Sequence, residues 1–334
     1  MAVEAHPAHQ EESEFVPVVR TGIFIYLALL LSALAWVYYQ FGDQLLEVID
    51  DVWFLGGVGV FGAIIANSTG TGGGVVFIPA FIAIDGLARM GELSSSLQLV
   101  PKNAFAISFL IQCFGMSVGS LVWIRRFYGG GHVPPGDRID GYSFIAIVFT
   151  VLVATLPALL VTQFAIVDSV DGALLLDAFK WGSVVLGIVL LIFTWSLKRV
   201  KPYRFSPEYS DIYWLFFLGL VGGVITAFFS VGVGELVAVY LILRKFPTVA
   251  AVALAVVISA VTVIAGVWIH IIENNIIWPI ALMAVPGAMV GGFIARLFAL
   301  ALGPIWLKTF ASVWITLSSL YLIFGPSLGV MPAN

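Results

Sequence analysis

The sequence predicts an all-α integral membrane protein with two inverted-topology repeats, each a broken or re-entrant helical hairpin plus three transmembrane helices, preceded by one extra N-terminal transmembrane helix. Three observations predict it. The 334 residues are 61% hydrophobic and only 10% charged, against about 25% charged in an ordinary soluble domain. Apolar stretches of roughly the 20 residues that a span requires follow one another from Thr21 to Gly325. Two longer apolar regions, Val52 to Ile84 and Ile212 to Leu243, are each interrupted midway by glycines.

Residues 1–20 read as a cytoplasmic tail. The part up to Glu14 is rich in Glu and lacks both a basic n-region and a small-residue cleavage site, which argues against a signal peptide. Residues 21–334 form one membrane domain, in which 21–51 supply the extra helix and its loop, 52–205 the first repeat and 206–334 the second. Full-length spans are predicted at Thr21 to Phe41, Leu97 to Ile124, Ser143 to Phe164, Lys180 to Leu197, Val249 to Ile271, Ile277 to Leu297 and Leu307 to Phe324. Lys and Arg in short loops stay on the cytoplasmic side. That rule puts Arg125 and Arg126, then Lys198, Arg199, Lys201 and Arg204, Arg244 with Lys245, and Arg296 with Lys308 inside. The loops carrying Asp43 to Asp51, then Asp168, Asp171 and Asp177, then Glu273 fall outside. With these assignments Val52 to Ile84 begins and ends outside, and Ile212 to Leu243 begins and ends inside. Each region is therefore a re-entrant hairpin or a pair of short helices. Its turn lies within the membrane, where irregular backbone is tolerated only when it lines a cavity or is buried in protein.

An offset of 162 residues lays Ser68, Gly70 and Gly72 over Ser230, Gly232 and Gly234, and Gly57 over Gly219. Broken segments at corresponding places in inverted halves point to a transport site at the repeat interface. The segment GGVGVFGAIIANSTGTGGGVVFIPAFIAI (Gly56 to Ile84) resembles the first-half motif of the TauE/SafE family of sulfite and sulfonate exporters. GLVGGVITAFFSVGVGELVAVYLIL (Gly219 to Leu243) resembles its second-half motif. The resemblance covers Gly56 to about Gly325. It implies a secondary transporter in the bacterial inner membrane that moves a small anion: sulfite, an organosulfonate, or a related sulfur-containing or carboxylate anion. Two features depart from the pattern. Glu235 stands where the first copy has Gly73, and Leu241 stands where it has Pro79.

The candidate substrate-binding residues are the first turn, Asn67, Ser68, Thr69, Gly70, Thr71, Gly72 and Gly73, and its partner turn, Ser230, Gly232 and Gly234. Free N–H groups at a helix N-terminus attract anions, and glycine allows the turn and a close approach. The competing reading is close packing of hairpin arms through small residues. Glu235 is the candidate coupling residue, a carrier of a proton or sodium ion, because an intramembrane carboxylate is costly unless it is used. It also suits a helix cap. Lys102 and Asn103 complete the set. If their helix starts near Leu93, Lys102 lies about 13 Å along it, close to midplane, as counter-charge to the substrate or to Glu235; the alternative is snorkelling to the outer interface. Gln98, Ser108, Gln112 and Ser259 are possible cavity-lining residues, His270 is expected near the wet outer end of its span, and Cys113 is expected to pack.

Other functions fit less well. No G-x-x-x-x-G-K-[ST] stretch is present for an ATP-driven pump. An intramembrane enzyme needs convergent His, Cys or carboxylate groups. A passive anion channel would use the same turns without coupling. The net charge of −4 with dispersed basic residues offers no nucleic-acid footprint. No cofactor and no metal are expected, and the expected partners are a small anion, a coupling ion and the lipid bilayer.

Overall fold

Proline and glycine decide where the helices of this chain begin, turn and break. The computed structural model describes residues 7–131, 133–196 and 204–324. Its helices are α1 (Pro7–Glu47), α2 (Ile49–Val52), α3 (Leu55–Thr69), α4 (Gly74–Arg89), α5 (Pro101–Tyr128), α6 (Gly141–Ala165), α7 (Gly172–Ser196), α8 (Tyr209–Phe229), α9 (Val233–Leu243), α10 (Thr248–Ile272) and α11 (Trp278–Phe324). Among the described residues eight segments are long and apolar enough to cross a membrane, including Ile49–Thr69 and Tyr209–Phe229, the first arms of the two broken regions. The chain is an integral membrane protein.

The boundaries follow local chemistry. Pro101 opens α5 because its missing N–H is one of the groups a helix start leaves unpaired anyway. Asp140 caps α6 by accepting the Ser143 N–H at 2.9 Å. Gly303, at φ 74° and ψ 155°, breaks α11 into two limbs, Trp278–Gly303 and Lys308–Phe324, which correspond to the last two predicted spans.

Several predicted boundaries move. α1 starts at Pro7, so the segment read as a tail is helical from there on. At 41 residues α1 is about 60 Å long, twice the hydrocarbon thickness. Asp177, assigned to an outer loop, lies within α7. The basic cluster Lys198, Arg199 and Lys201 falls outside the described residues.

The first arms of the broken regions pack across halves. Along α3, Gly56, Gly59 and Val60 meet Gly287, Ala284 with Ala288, and Gly291 of the first α11 limb. Along α8, Gly219 and Gly223 meet Val151, Ala154, Thr155 and Ala158 of α6. Each contact brings a glycine against partner backbone, the close approach that drives helix association in lipid.

At the centre lie α5 and α10, 89% and 72% buried over their most apolar windows, whereas that of α1 is 0% buried. Asn103, Phe109 and Cys113 of α5 meet Asn275, His270 and Val263 in turn. The partner number falls as the α5 number rises, so the two helices run antiparallel.

Correspondence by role differs from the offset read in the sequence. Gly59 and Gly219 each touch a span of the other half, Gly62 and Gly222 each face the second arm of their own hairpin, and Gly70 and Ser230 each cap a first arm in the left-handed region. All three pairs stand 160 residues apart, not 162. Gly57, aligned to Gly219 by identity, has nothing within 4 Å of an added Cβ. Glycines matched by residue type had hidden a two-residue shift.

Candidate functional site

The first arm α3 ends where Gly70 takes φ 79°, and the chain re-enters helix at Gly74 behind the N-cap Gly73. In the second hairpin Ser230 adopts φ 56° and Gly232 φ 141° before α9 begins at Val233. These positive angles cost an L side chain roughly 1–2 kcal/mol. The serine at 230 bears that cost, and its hydroxyl and carbonyl are both used by a neighbour.

The two turns touch. An added Cβ on Gly234 would lie 2.6 Å from the Gly70 carbonyl oxygen, and one on Gly74 would lie 2.9 Å from that of Phe229. Glu235 lies at the junction, 2% exposed. Its Oε1 accepts the Gly72 N–H at 2.6 Å and its Oε2 accepts the Gly232 N–H at 2.9 Å. The second bond is half of a capping box, in which the third residue of a helix reaches back to the N-cap amide. The first crosses 163 residues of chain and ties the hairpins together.

Gln112 of α5 is a second bridge. Its Oε1 accepts the Gly73 N–H at 2.7 Å, and its Nε2 donates to the Ser230 hydroxyl at 2.7 Å and carbonyl at 3.1 Å, and to the Ser108 hydroxyl at 3.0 Å. The sequence expectation of free N–H groups at both turns is therefore corrected: the amides of Gly72, Gly73 and Gly232 are occupied by Glu235 and Gln112. A carboxylate already fills the place between the helix starts that was read as an anion site.

The polar residues of the first turn divide into two groups. Asn67 donates to the Ala63 carbonyl at 2.8 Å and the Gly115 carbonyl at 3.3 Å, so it ties α3 to α5. The Trp123 indole donates to the Asn67 carbonyl at 3.0 Å. Ser68 bonds back to the Ile64 and Ile65 carbonyls of its own helix. Thr69 also bonds back, donating to the Ile65 carbonyl at 2.7 Å, and its oxygen accepts from Thr71, whose hydroxyl lies 2.6 Å away and whose N–H lies 3.2 Å away.

These two threonines line a cavity of about 20 Å³ together with Glu235, Ala238 and Val239 of α9, Leu190 of α7, and Lys308, Ala311 and Ser312 of the second α11 limb. On α7, Phe179 lies eleven residues before Leu190, about 16 Å away along the helix. There it joins Phe105 and Phe229 in an aromatic cluster with centroids 5.8 to 6.2 Å apart. The small cavity and the aromatic cluster thus lie at different depths along α7.

Lys102 and Asn103 are not at this site. Pro101 starts the helix eight residues later than Leu93, so both occupy its first turn. The Lys102 ammonium pairs with Glu273 at 2.8 Å and is 35% exposed. The Asn103 side chain accepts the Val100 N–H at 3.0 Å and donates to the Asn275 carbonyl at 2.8 Å. Lys102 therefore does not supply the midplane counter-charge expected for Glu235. His270, expected wet, is 3% exposed with its ring 5.0 Å from that of Phe109.

The residues that sequence reasoning missed are Lys308 and Ser312. Lys308 counted as a loop cation that set orientation, yet it lines the same cavity as Glu235. A lysine five residues past a glycine break, ahead of an apolar run and with no acidic neighbour in sequence, was the available signal.

The family description "Sulfite exporter TauE/SafE" matches residues 54–322. A relative named "Probable membrane transporter protein YunE", from Bacillus subtilis (strain 168), is 26% identical over 251 residues, which cover 70% of this chain and 84% of that protein. No solved structure matches the chain. The family match runs through both hairpins, through α5, α6, α7 and α10, and through nearly all of α11, so the chain belongs to the TauE/SafE family of membrane transporters.

Proposed function

We propose that this protein is an ion-coupled secondary transporter that moves a small anion, in the sulfite, organosulfonate or carboxylate class, by alternating access between two inverted repeats. One observation carries the reading: a carboxylate buried where two broken hairpins meet, holding one backbone amide of each. An intramembrane carboxylate is retained where it works, and this one joins the two elements whose separation would open the site. Binding of a proton or sodium ion at Glu235 weakens its hold on the Gly72 amide and frees one hairpin from the other.

The exchange of first arms across halves and the antiparallel α5 and α10 support the inverted repeat. The family description and the relative's name support the substrate class. The positive-inside rule supports a cytoplasmic N-terminus in a bacterial inner membrane, with α1 as the extra helix.

The test uses the full chain in proteoliposomes carrying a sulfite, sulfoacetate or acetate gradient opposed by a proton or sodium gradient. The wild type accumulates an anion of this panel against its own gradient, and Glu235→Gln loses at least about 100-fold in that uphill flux. Strictly downhill flux in the wild type would identify a passive channel, and uphill flux by Glu235→Gln at the wild-type rate would remove the coupling role.

A further inference from the structure

The place that two opposed helix starts would offer an anion is taken by the protein's own carboxylate while the two hairpins are joined. Adjoining that junction is the cavity lined by Thr69, Thr71, Glu235, Lys308 and Ser312. Among the described residues no side chain forms a hydrogen bond or an ion pair with the Lys308 ammonium. Lys308 and Glu235 border one cavity without being paired, although opposite charges in a weakly polar interior attract strongly.

We infer that Lys308 is the cation of the substrate site, and that the anion binds between its ammonium and the hydroxyls of Thr71 and Ser312. This rests on the transporter reading. The Thr69 hydroxyl donates to the Ile65 carbonyl at 2.7 Å, so its single hydrogen is used and the Thr71 hydroxyl is the donor to Thr69 at 2.6 Å. Thr71 can exchange that bond for an anion oxygen. The Ser312 hydroxyl now donates to the Lys308 carbonyl at 2.7 Å within its own helix, a bond it can exchange for an anion oxygen.

A cavity of about 20 Å³ holds about one water molecule, so an oxyanion needs the wall to move. The backbone provides the means. Gly303, five residues before Lys308, has non-helical angles and nothing within 4 Å of an added Cβ. The limb that carries Lys308, Ala311 and Ser312 can swing there without unpacking a neighbour from the hinge.

The choice of anion follows from this lining. One ammonium and two hydroxyls satisfy a compact singly or doubly charged oxyanion. A carboxylate of Glu235 on the same wall opposes a second negative charge until it is neutralised. The anion and the coupling ion then favour each other's binding, which is the linkage that symport requires.

The experiment combines the proteoliposome assay with thermal unfolding of purified full-length protein titrated with sulfite, sulfoacetate and acetate. Wild-type protein transports at least one of the three and is stabilised by it, as a ligand of the folded state must do. Lys308→Gln raises the half-saturating concentration at least tenfold and loses the ligand-dependent rise in unfolding temperature. Lys308→Arg keeps most of both. Thr71→Val and Ser312→Ala each raise the half-saturating concentration about threefold to tenfold, and they carry the test if Lys308→Gln fails to fold. Unchanged half-saturation in the three variants other than Lys308→Arg, in a wild type that transports, overturns this assignment alone. Absence of transport of all three anions by the wild type overturns the transporter reading itself.

Discussion

The turn between α3 and α4 and the turn between α8 and α9 hold corresponding places in the two broken regions but solve the same backbone problem differently. The first turn is rich in donors and short of acceptors: its Gly72 and Gly73 amides are satisfied by side chains from other elements, Glu235 and Gln112. The second turn brings its own acceptor, since Glu235 caps Gly232 in the same hairpin and has an oxygen left for its neighbour. The third helical residue of α4, which corresponds to Glu235 in α9, is Val76. A shared framework thus carries unshared chemistry, with the bridging carboxylate on one hairpin only.

The hairpin bases repeat the contrast. In the second hairpin Asp211 is fully buried and joins the Arg244 guanidinium at 2.6 Å, the Tyr240 hydroxyl at 2.7 Å and Arg204 at 3.2 Å, so the start of α8 is clipped to the end of α9. In the first, Asp85 pairs with Arg89 at 2.8 Å near the surface and accepts the Leu99 N–H at 2.8 Å. The second hairpin is clipped across its two arms at the base, whereas the base of the first is tied only to its own helix end and the loop after it.

Substitutions can break or sharpen this comparison. The largest effect belongs to the shared framework. Gly59→Leu and Gly219→Leu, whose added Cβ atoms would lie 2.1 Å and 2.7 Å from partner carbonyl oxygens, each cost about 3 kcal/mol or more through overpacking. Gly57→Leu, in open space, stays within about 0.5 kcal/mol. Size-exclusion profiles of the three detergent-solubilised variants check this, and equal behaviour of Gly57→Leu and Gly59→Leu would contradict the 160-residue correspondence.

Next come the bases. Asp211→Asn removes the charge that two guanidiniums face, and loses about 3 kcal/mol, since breaking a buried ion pair strands its partners. Asp85→Asn loses about 1 kcal/mol, as an exposed pair does. Thermal unfolding midpoints rank the two, and the reverse order would refute the anchored second hairpin.

At the tips, Gln112→Leu leaves the buried Gly73 amide without its acceptor and costs about 2 kcal/mol, measured by the same midpoint. Ser230→Gly is the smallest change. It relieves a left-handed serine by about 1 kcal/mol and gives up a hydroxyl bond to Gln112 of about 1 kcal/mol. The midpoint therefore moves by no more than about 1 °C, whereas Gly70→Ala lowers it clearly, because a Cβ at φ 79° also meets the Ala255 Cβ at 2.8 Å.

Much of this protein was legible in its sequence. Runs of apolar residues determined the spans, because a backbone in lipid must satisfy its own hydrogen bonds and a helix is the segment that does so locally. The glycine clusters determined where two of those runs turn back, since few other residues accept the angles a tight turn demands. Glu235 was legible as a residue of interest because a carboxylate has no cheap place inside a membrane. The sequence could not say what each polar group meets. That Lys102 pairs with Glu273 at a helix end, that Glu235 and Gln112 occupy the amides of both turns, and that Lys308 borders the same cavity as Glu235 are matters of distance between segments up to 171 residues apart. Only the tertiary structure decided them, because local preference fixes a residue's own backbone while packing between helices fixes its neighbours.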